Sequence, residues 1–386
     1  MKRITGIGNA LTDALVQIDN DELLNALGLP KGSMQLIGDD RLPAIREAMS
    51  ALPMSRATGG SAGNTMLALA NLGVEPGFIG KIGEDEVGHF FATNATAKGI
   101  CPRLIRSSRP SGIAHTFISP EGERTFATYL GAAAELEPDD LSADMLEGYD
   151  YLYVEGYLVQ NHALILRAIE LAKQQGLKVC LDLASYNIVE ADHDFFTQLI
   201  TDSVDVVFAN EEEARAFAGC EPEEALDTFG ALCEVAVVKL GKKGSFVMYQ
   251  GQKTFAPALP VSQVMDTTGA GDFYAAGMMY GLLQGWEMER CAKAGALLAG
   301  HVIQTIGTTL PEVMVSTVAA FEGTGGIAYG NAIGSIICNT SLIAALTCSG
   351  MASAGMFLPR RQTEQGRISI KPAFSETFTT ISASNS

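Results

Sequence analysis

The sequence lacks the cysteine and histidine patterns that form disulfide frameworks or zinc sites. Its seven cysteines are scattered over 386 residues without a C-x-x-C pair, and its five histidines stand apart from one another. This spacing suggests neither a disulfide scaffold nor a zinc site, and it is typical of a reduced compartment. Residues 1–8 also lack the long apolar core of a signal peptide. We therefore expect a cytoplasmic protein.

Basic residues are also scarce. The chain has 26 Lys and Arg against 44 Asp and Glu, which gives a net charge of -18 and a pI near 4.7. Such an excess of negative charge argues against nucleic acid or an anionic membrane as the main partner. It does not exclude a nucleotide enzyme, because local anion sites are built from backbone amides and a few cations.

Two common nucleotide motifs are missing as well. There is no Walker A sequence, so any ATP site is not of the P-loop type. The pair Gly6 and Gly8 near the start has no third glycine at dinucleotide spacing, which disfavours an NAD site.

Apolar runs alternate with helical patterns in the middle of the chain. From about residue 150, Val-rich runs near residues 151–154, 179–183, 204–208 and 235–239 are each followed by polar turns and helical segments. Continuous apolar strands indicate a parallel sheet covered on both faces, and the alternation predicts a doubly wound α/β domain.

The stretch at residues 266–272 (DTTGAGD) carries the strongest functional signal. Gly269, Ala270 and Gly271 have little or no side chain and precede an apolar run, residues 273–283, that predicts a buried helix. Free amides and the helix dipole at that N-terminus favour an anion. Asp272, in the first turn, is placed to accept a proton from a substrate hydroxyl. A simple helix cap remains the alternative.

A second glycine loop, residues 58–65 (TGGSAGNT), also precedes a predicted helix. Gly60 allows close backbone approach, and Asn64 can both donate to and accept from a sugar hydroxyl. Asp13 follows the first predicted strand, near the edge where α/β sheets bind ligands. A glycine-rich cap and a surface turn are the structural alternatives.

These two loops resemble the two signatures of the ribokinase-like (PfkB) family of sugar and nucleoside kinases. The resemblance covers about residues 1–312 and implies a three-layer α/β/α sandwich with a mostly parallel central sheet and a small β-sheet lid. The lid strands are expected within about residues 10–50 and 100–135, including a hairpin around residues 120–124. The resemblance makes Asp272 the catalytic base and the amides of Gly269, Ala270 and Gly271 the anion hole.

Further roles follow from the same resemblance. Asp13, Gly60 and Asn64 would bind the substrate, and ATP would be bound by a group of four residues. Mg²⁺ would be organised through water by Asn210 and Glu213, although without the family the Glu run there indicates a solvated helix start. Asp266 would help to hold a monovalent cation such as K⁺. The nucleotide-binding group comprises Lys239, Gly241, Gly244 and His301.

The expected reaction is transfer of the ATP γ-phosphate to a hydroxymethyl group of a nucleoside, with adenosine favoured by likeness to bacterial adenosine-kinase-like members. A sugar kinase acting on ribose, fructose or a related sugar is the alternative. An inactive binding protein and a membrane transporter fragment are alternatives of another class. The substrate is a small molecule, and the protein is expected to be a monomer or homodimer.

The end of the chain, residues 313–386, departs from a kinase pattern. Residues 323–358 contain no charged residue, and a Ser/Thr-rich stretch follows. Residues 307–346 resemble an α-repeat of sodium/calcium exchanger proteins, and the hexapeptide at residues 307–312 (GTTLPE) fits both families. We interpret the chain as a chimera joined within that hexapeptide, by recombination or by an error of sequence assembly. Membrane association is expected only through this tail.

Overall fold

The computed structural model describes residues 2–261 and 267–303. Within them the strands are β1 (Ile4–Ile7), β2 (Leu11–Gln17), β3 (Met34–Leu36), β4 (Met54–Gly59), β5 (Gly77–Gly83), β6 (Cys101–Ser107), β7 (Gly112–Ile118), β8 (Arg124–Tyr129), β9 (Tyr151–Glu155), β10 (Lys178–Asp182), β11 (Val206–Asn210), β12 (Val235–Lys239), β13 (Ser245–Tyr249) and β14 (Gln252–Ala256). The helices are α1 (Glu22–Leu27), α2 (Leu42–Ser50), α3 (Ser61–Asn71), α4 (Glu86–Ala97), α5 (His162–Gln174), α6 (Tyr186–Ala191), α7 (His193–Ser203), α8 (Glu211–Ala218), α9 (Pro222–Leu232), α10 (Ala270–Gln284) and α11 (Met288–Val302).

The Val-rich runs form the centre of a large, mostly parallel sheet. Its nine described strands have the order β14-β13-β12-β11-β10-β9-β1-β5-β6. Neighbouring strands from β12 to β6 are parallel, whereas β12, β13 and β14 are joined as antiparallel pairs. The predicted α/β fold with a parallel core is therefore confirmed.

Helices cover both faces of this sheet, which explains why its strands are apolar throughout. Val206 and Phe208 of β11 join the core formed with α3, α4, α10 and α11. Val207 and Ala209 of the same strand join the core formed with α5 to α9. Successive residues of a strand point to opposite faces, so a doubly covered strand must be apolar at every position.

A second sheet of five described strands has the order β3-β8-β7-β2-β4. β7 and β8 form the predicted antiparallel hairpin, with Ile118 paired to Arg124 at its end. The inner side of this sheet packs on α1 and α2 through residues such as Leu24, Ile45 and Phe117. It is the small sheet that the family resemblance implies.

One strand assignment differs from the predicted lid ranges. β4 belongs to the small sheet but lies beyond residue 50, and Met54 and its next three residues are exposed. β6 lies within the range 100–135 but pairs with β5 at the edge of the large sheet. The predicted boundary at residue 312 and the whole predicted tail lie outside the described residues, so that division of the chain stays a prediction.

Candidate active site

Four polar side chains lie where neighbouring parallel strands of the large sheet end. Glu155, Asp182, Asn210 and Lys239 are the last residues of β9, β10, β11 and β12. The register pairs Glu155 with Asp182 and Asn210 with Lys239. Ligands of open α/β sheets bind at this carboxyl edge, so the candidate site lies here.

Asp272 lies in the first turn of α10, whose residues from Phe273 to Leu283 are buried as predicted. Both of its carboxylate oxygens are held by α3. Ser61 Oγ donates to Oδ1 at 2.7 Å, and Asn64 Nδ2 donates to Oδ2 at 3.0 Å. Thr65 Oγ1 also donates to the Asp272 backbone carbonyl at 3.3 Å. The two glycine loops predicted from the sequence are thus joined directly through this carboxylate.

The surroundings of Asp272 bring its proton affinity close to neutrality. Burial raises the pKa of its carboxyl to about 7, and the negative charge of Asp182 adds to that rise. The hydrogen bonds from Ser61 and Asn64 and the positive charge of Lys239 act in the opposite direction. A carboxyl with a pKa near the working pH can accept a proton and release it again, as a general base must.

The amides predicted to form the anion hole lie at the N-terminus of α10. Gly269 is the N-cap with a φ of 75°, a left-handed conformation that favours glycine. The Ala270 amide donates to the Thr267 carbonyl at 3.2 Å, so part of its capacity is used within the turn. First-turn amides such as that of Gly271 have no partner inside their own helix. The anion-binding role of residues 269–271 stays a prediction.

Asp13 on β2 lies against the glycine pair that joins β4 to α3. A Cβ at Gly59 would collide with the Asp13 carboxylate, and a Cβ at Gly60 would collide with the Asn9 carbonyl. Gly60 is also the N-cap of α3, with a φ of 83°. Burial raises the pKa of Asp13 to about 6, against the lowering effect of Arg124. The predicted substrate-binding residues therefore lie together at the start of α3, beside the Asp272 partners.

Glu155 supports this loop from the strand side and is not among the predicted site residues. It is buried, with an Oε1 that accepts from Asn9 Nδ2 at 2.8 Å and an Oε2 that accepts from the Ala62 amide at 3.0 Å. Burial raises the pKa of this carboxyl. Its contacts fix the chain after β1 to the first turn of α3. A polar residue at the end of an apolar strand was the sequence signal for it.

Lys239, predicted to bind the nucleotide, is paired with Asp182 inside the site. The distance from Lys239 Nζ to Asp182 Oδ2 is 3.1 Å, and their side chains are 14% and 6% exposed. Burial acts to lower the pKa of Lys239, but Asp182 and Glu213 outweigh it and hold the pKa above its usual value. Asp182 is a second site residue that the sequence analysis missed, although it also ends an apolar strand.

Asn210 and Glu213 form a reciprocal cap at the start of α8. Asn210 Oδ1 accepts from the Glu213 amide at 2.8 Å, and Glu213 Oε2 accepts from the Asn210 amide at 2.7 Å. Glu213 is buried, and burial raises the pKa of its carboxyl. The prediction of a solvated helix start, made from the Glu run alone, is thus wrong at Glu213, because its carboxylate turns inward to the backbone.

This cap limits how a metal ion could be held. No group of three His, Cys, Asp or Glu side chains in the described ranges is arranged to bind one. The residues therefore do not fit direct coordination by a carboxylate cluster. They fit contact through water to an ion carried by phosphates, because the Glu213 carboxylate keeps further lone pairs beside its hydrogen bonds.

The remaining predicted nucleotide residues lie beyond β12 and at the end of α11. Gly241 has a φ of 54°, and a Cβ at Gly244 would collide with the Ala256 carbonyl, so the turn between β12 and β13 accounts for both glycines. His301 lies in the last turn of α11, where burial lowers its pKa. Their contact with a nucleotide stays a prediction. Asp266, predicted for a monovalent cation, lies outside the described residues.

Among the helices of residues 2–261 and 267–303, none has the length and apolar character needed to cross a membrane.

Comparison with known proteins finds two families in the chain. The model of the pfkB family carbohydrate kinases matches residues 33–313, and that of the sodium/calcium exchanger proteins matches residues 286–383. The two matches overlap around the predicted junction, which supports the interpretation of the chain as a chimera.

Solved structures and curated proteins lead to the same family. A probable sugar kinase from Rhizobium etli CFN 42 is 33% identical with a TM-score of 0.73, over 83% of this chain and 98% of its own. Adenosine kinase from Sinorhizobium meliloti is 34% identical with a TM-score of 0.71, over 80% and 97%. The 5-dehydro-2-deoxygluconokinase of Bacillus subtilis (strain 168) is 28% identical over 267 residues, which is 65% of this chain and 82% of that protein. The chain is therefore a kinase and belongs to the pfkB family of carbohydrate kinases.

Proposed function

We propose that this kinase transfers the γ-phosphate of Mg-ATP to the hydroxymethyl group of a nucleoside, with adenosine as the acceptor. One observation carries the proposal. The Asp272 carboxylate, at the start of a buried helix, is held by Ser61 and Asn64 of the glycine loop, and Asp13 lies against that same loop. The proposed base and the proposed hydroxyl-binding group therefore lie against the same loop.

The proposed chemistry begins with a proton transfer. The acceptor hydroxyl gives its proton to the Asp272 carboxylate as its oxygen attacks the γ-phosphorus. The new O–P bond forms while the bond from the γ-phosphorus to the bridging oxygen breaks, and ADP leaves with that electron pair. The amides at the start of α10 stabilise the charge on the transferring group. Asp272 keeps this capacity although both its oxygens accept hydrogen bonds, because a carboxylate has about four lone pairs.

The acceptor is held from the other side by the residues that precede and begin α3. Asp13 accepts hydrogen bonds from two neighbouring hydroxyls, and the Gly60 backbone and Asn64 side chain complete the contact. These bonds are charge-assisted, because Asp13 accepts them as a carboxylate. This arrangement recognises a pair of vicinal hydroxyls, which both ribosides and free sugars possess.

The choice of adenosine rests on likeness to the adenosine kinase of Sinorhizobium meliloti, which matches this chain over nearly the whole length of that protein. The second candidate is a sugar acceptor. The probable sugar kinase of Rhizobium etli is about as similar, and the curated Bacillus subtilis relative acts on a deoxygluconate derivative by its name.

A transporter fragment is supported less well. The exchanger match begins at residue 286 and so includes α11. α11, however, packs on α10 within the kinase core, where the backbone of Ala294 lies against Gly277 and Cys291 against Gly281. The first residues of the exchanger match, which include α11, are thus part of the kinase core. An inactive binding protein is disfavoured by the intact contacts of Asp272.

The acceptor is tested by ADP release with Mg-ATP across adenosine, inosine, ribose, fructose and 5-dehydro-2-deoxygluconate. We expect the highest kcat/KM with adenosine. A response confined to ribose, fructose or the gluconate derivative would replace the nucleoside with a sugar and leave the mechanism intact.

The base is tested with Asp272→Asn. We expect kcat to fall about 100- to 10,000-fold, the usual contribution of a general base, with little change in the affinity for Mg-ATP measured by calorimetry. Asp144→Asn, on an exposed surface residue, is the matched control and should retain the parent rate. Near-normal turnover by Asp272→Asn would exclude Asp272 as the base.

A further inference from the structure

A single ammonium group lies among three carboxyl groups at the carboxyl edge of the large sheet. Lys239 Nζ is 3.1 Å from Asp182 Oδ2, and its pKa is also raised by the charges of Glu213 and Asp272. Within the described ranges Asp182 is its one hydrogen-bond partner. An ammonium has three donors, so two of them have no partner among the residues that the structure describes.

The ammonium of Lys239 lies close to the N-terminus of α10. A Cβ built on Gly271 would lie 3.4 Å from Lys239 Nζ. Gly271 belongs to the first turn of α10, directly before Asp272. The ammonium and the first-turn amides therefore border the same small space, next to the base. Any side chain at residue 271 would narrow that space.

A contribution to the stability of the fold does not by itself account for the buried ion pair of Lys239 and Asp182. Taking both charges out of water costs free energy that their attraction rarely exceeds, so an apolar pair of similar size would serve the core as well or better. The pair also ends two strands at the ligand-binding edge rather than lying deep between layers. Its location points to a role in function.

We propose that Lys239 is a catalytic residue that contacts the phosphoryl group during its transfer, and that Asp182 is the positioning residue that holds the ammonium toward Gly271. The proposal rests on the proposed function only in taking Mg-ATP as the phosphoryl donor, and it is independent of the acceptor. It assigns Lys239 to the transferring phosphate, whereas the family resemblance predicts general nucleotide binding.

The chemistry of the step gives Lys239 a defined task. As the acceptor oxygen bonds to the γ-phosphorus and the bridging bond breaks, negative charge spreads over the transferring group and the departing ADP oxygen. The ammonium donates hydrogen bonds to the oxygens of the transferring group and keeps its proton throughout. The hydroxyl proton goes to Asp272. No covalent bond to Lys239 is made or broken.

Hydrogen bonds fix the orientation of the Asp182 carboxylate, so it can hold the Lys239 ammonium in one position. Its Oδ1 accepts from the Ala184 amide at 3.2 Å, and its Oδ2 accepts from Tyr153 OH at 3.2 Å in addition to Lys239. Ala184 has a φ of 67°, a left-handed conformation rare for alanine, so the turn after β10 is held in one defined shape. A carboxylate with these partners has little freedom to rotate.

The first test measures binding of Mg-AMP-PNP and Mg-ADP by calorimetry, which requires no acceptor. Lys239→Met should weaken AMP-PNP at least about tenfold, as loss of a charge-assisted hydrogen bond does, and change ADP less than twofold. Lys243→Met, an exposed lysine of the following turn, should change neither. Equal weakening of both nucleotides would overturn the proposal and place Lys239 against the part of the nucleotide that the two share.

The second test follows turnover with the acceptor that the parent uses best. Lys239→Met should lower kcat about 100- to 1,000-fold, the loss typical of one donor to transition-state charge, and Lys239→Arg should recover part of it. Asp182→Asn should lower kcat with little change in the KM of either substrate. Unchanged kcat in Lys239→Met would overturn the catalytic role, and unchanged kcat in folded Asp182→Asn would overturn the positioning role.

Removal of one charge can prevent folding, because the other is left buried and unpaired. The double variant Lys239→Met with Asp182→Asn removes both charges at similar volume. It should fold and still show the selective loss of AMP-PNP affinity. A parent that binds Mg-AMP-PNP but phosphorylates none of the acceptors would count against the proposed function alone, since the binding test would still decide on Lys239.

Discussion

Asp272 shows how single hydrogen bonds act on the working range of the proposed base, which is partly buried. Its carboxyl has a pKa of about 7 because burial raises the value more than Ser61 and Asn64 lower it. The base works only when it is deprotonated, so we expect kcat/KM to rise with pH through a midpoint of about 7. Below that midpoint the carboxyl is protonated and cannot accept the hydroxyl proton.

Ser61→Ala should move that midpoint. The Ser61 hydroxyl donates to the Asp272 carboxylate at 2.7 Å and stabilises the charged form. Its removal raises the pKa further, so the rise of kcat/KM should shift to higher pH, with a marked loss of rate at pH 7 and a smaller loss at pH 9. The measurement is a pH profile of kcat/KM with the best acceptor.

The control is Ser55→Ala, an exposed serine on β4, whose profile should match that of the parent. A uniform loss at every pH in Ser61→Ala, with the midpoint unmoved, would show that Ser61 does not act through the pKa of Asp272.

The residues that the sequence revealed and those it missed differ in chemistry. Asp13, Asn64 and Asp272 lie in or near glycine loops. Such loops can be recognised in a sequence, because few other structures need clustered glycines. Ser61, Glu155 and Asp182 act through contacts between segments far apart in the chain, and no local pattern records such contacts. Glu213 is an intermediate case, since its Asn-x-x-Glu spacing is also that of a capping box.

At the scale of elements, strands were predictable where both faces are buried. The runs that became β9 to β12 are apolar at nearly every position because helices cover both sides. β4 escaped prediction because its first four residues are exposed at the edge of the small sheet. β6 was not assigned to either sheet, since an edge strand of mixed polarity fits both equally well.

The packing of α10 on α11 depends on glycines that the sequence places inside a helix. A Cβ on Gly277 would lie 2.5 Å from the Ala294 carbonyl oxygen, and one on Gly281 would lie 2.6 Å from Cys291 Sγ. Both contacts are far too short, so the two helices must separate if either glycine gains a side chain. Glycine is unfavourable within a helix, and here the close approach of the second helix offsets that cost.

Gly277→Ala should therefore lower the free energy of unfolding by about 1–3 kcal/mol, the usual cost of overpacking a core. Gly63→Ala in α3 is the matched control, because its new methyl group would meet only Phe78 at 3.9 Å. That variant should be neutral or more stable by up to about 1 kcal/mol from helix propensity. Urea unfolding of both variants gives the comparison, and equal stability of the two would contradict the close packing.

At the scale of the whole molecule, the lengths of the related structures indicate how many residues a kinase of this family requires. The structures from Rhizobium etli and Sinorhizobium meliloti are matched over 98% and 97% of their own lengths by 83% and 80% of this chain. The match to the pfkB family ends at residue 313, close to the predicted boundary at residue 312. Almost the whole of each of these two kinases is thus matched by about four fifths of this chain. The predicted cytoplasmic location and the monomer or homodimer state stay predictions.

We therefore expect a chain ended after Glu312 to phosphorylate the same acceptor as the full chain, with kcat/KM unchanged within about twofold. Every residue placed in the proposed mechanism lies between Asp13 and Asp272, and the last described helix that packs on α10 ends at Val302. Parallel measurement of both chains for ADP release and for unfolding temperature makes the comparison. A shortened chain that folds but is inactive would mean that residues 313–386 supply a group to the reaction. One that no longer folds would mean that those residues complete the kinase core, and either result would contradict a junction within residues 307–312.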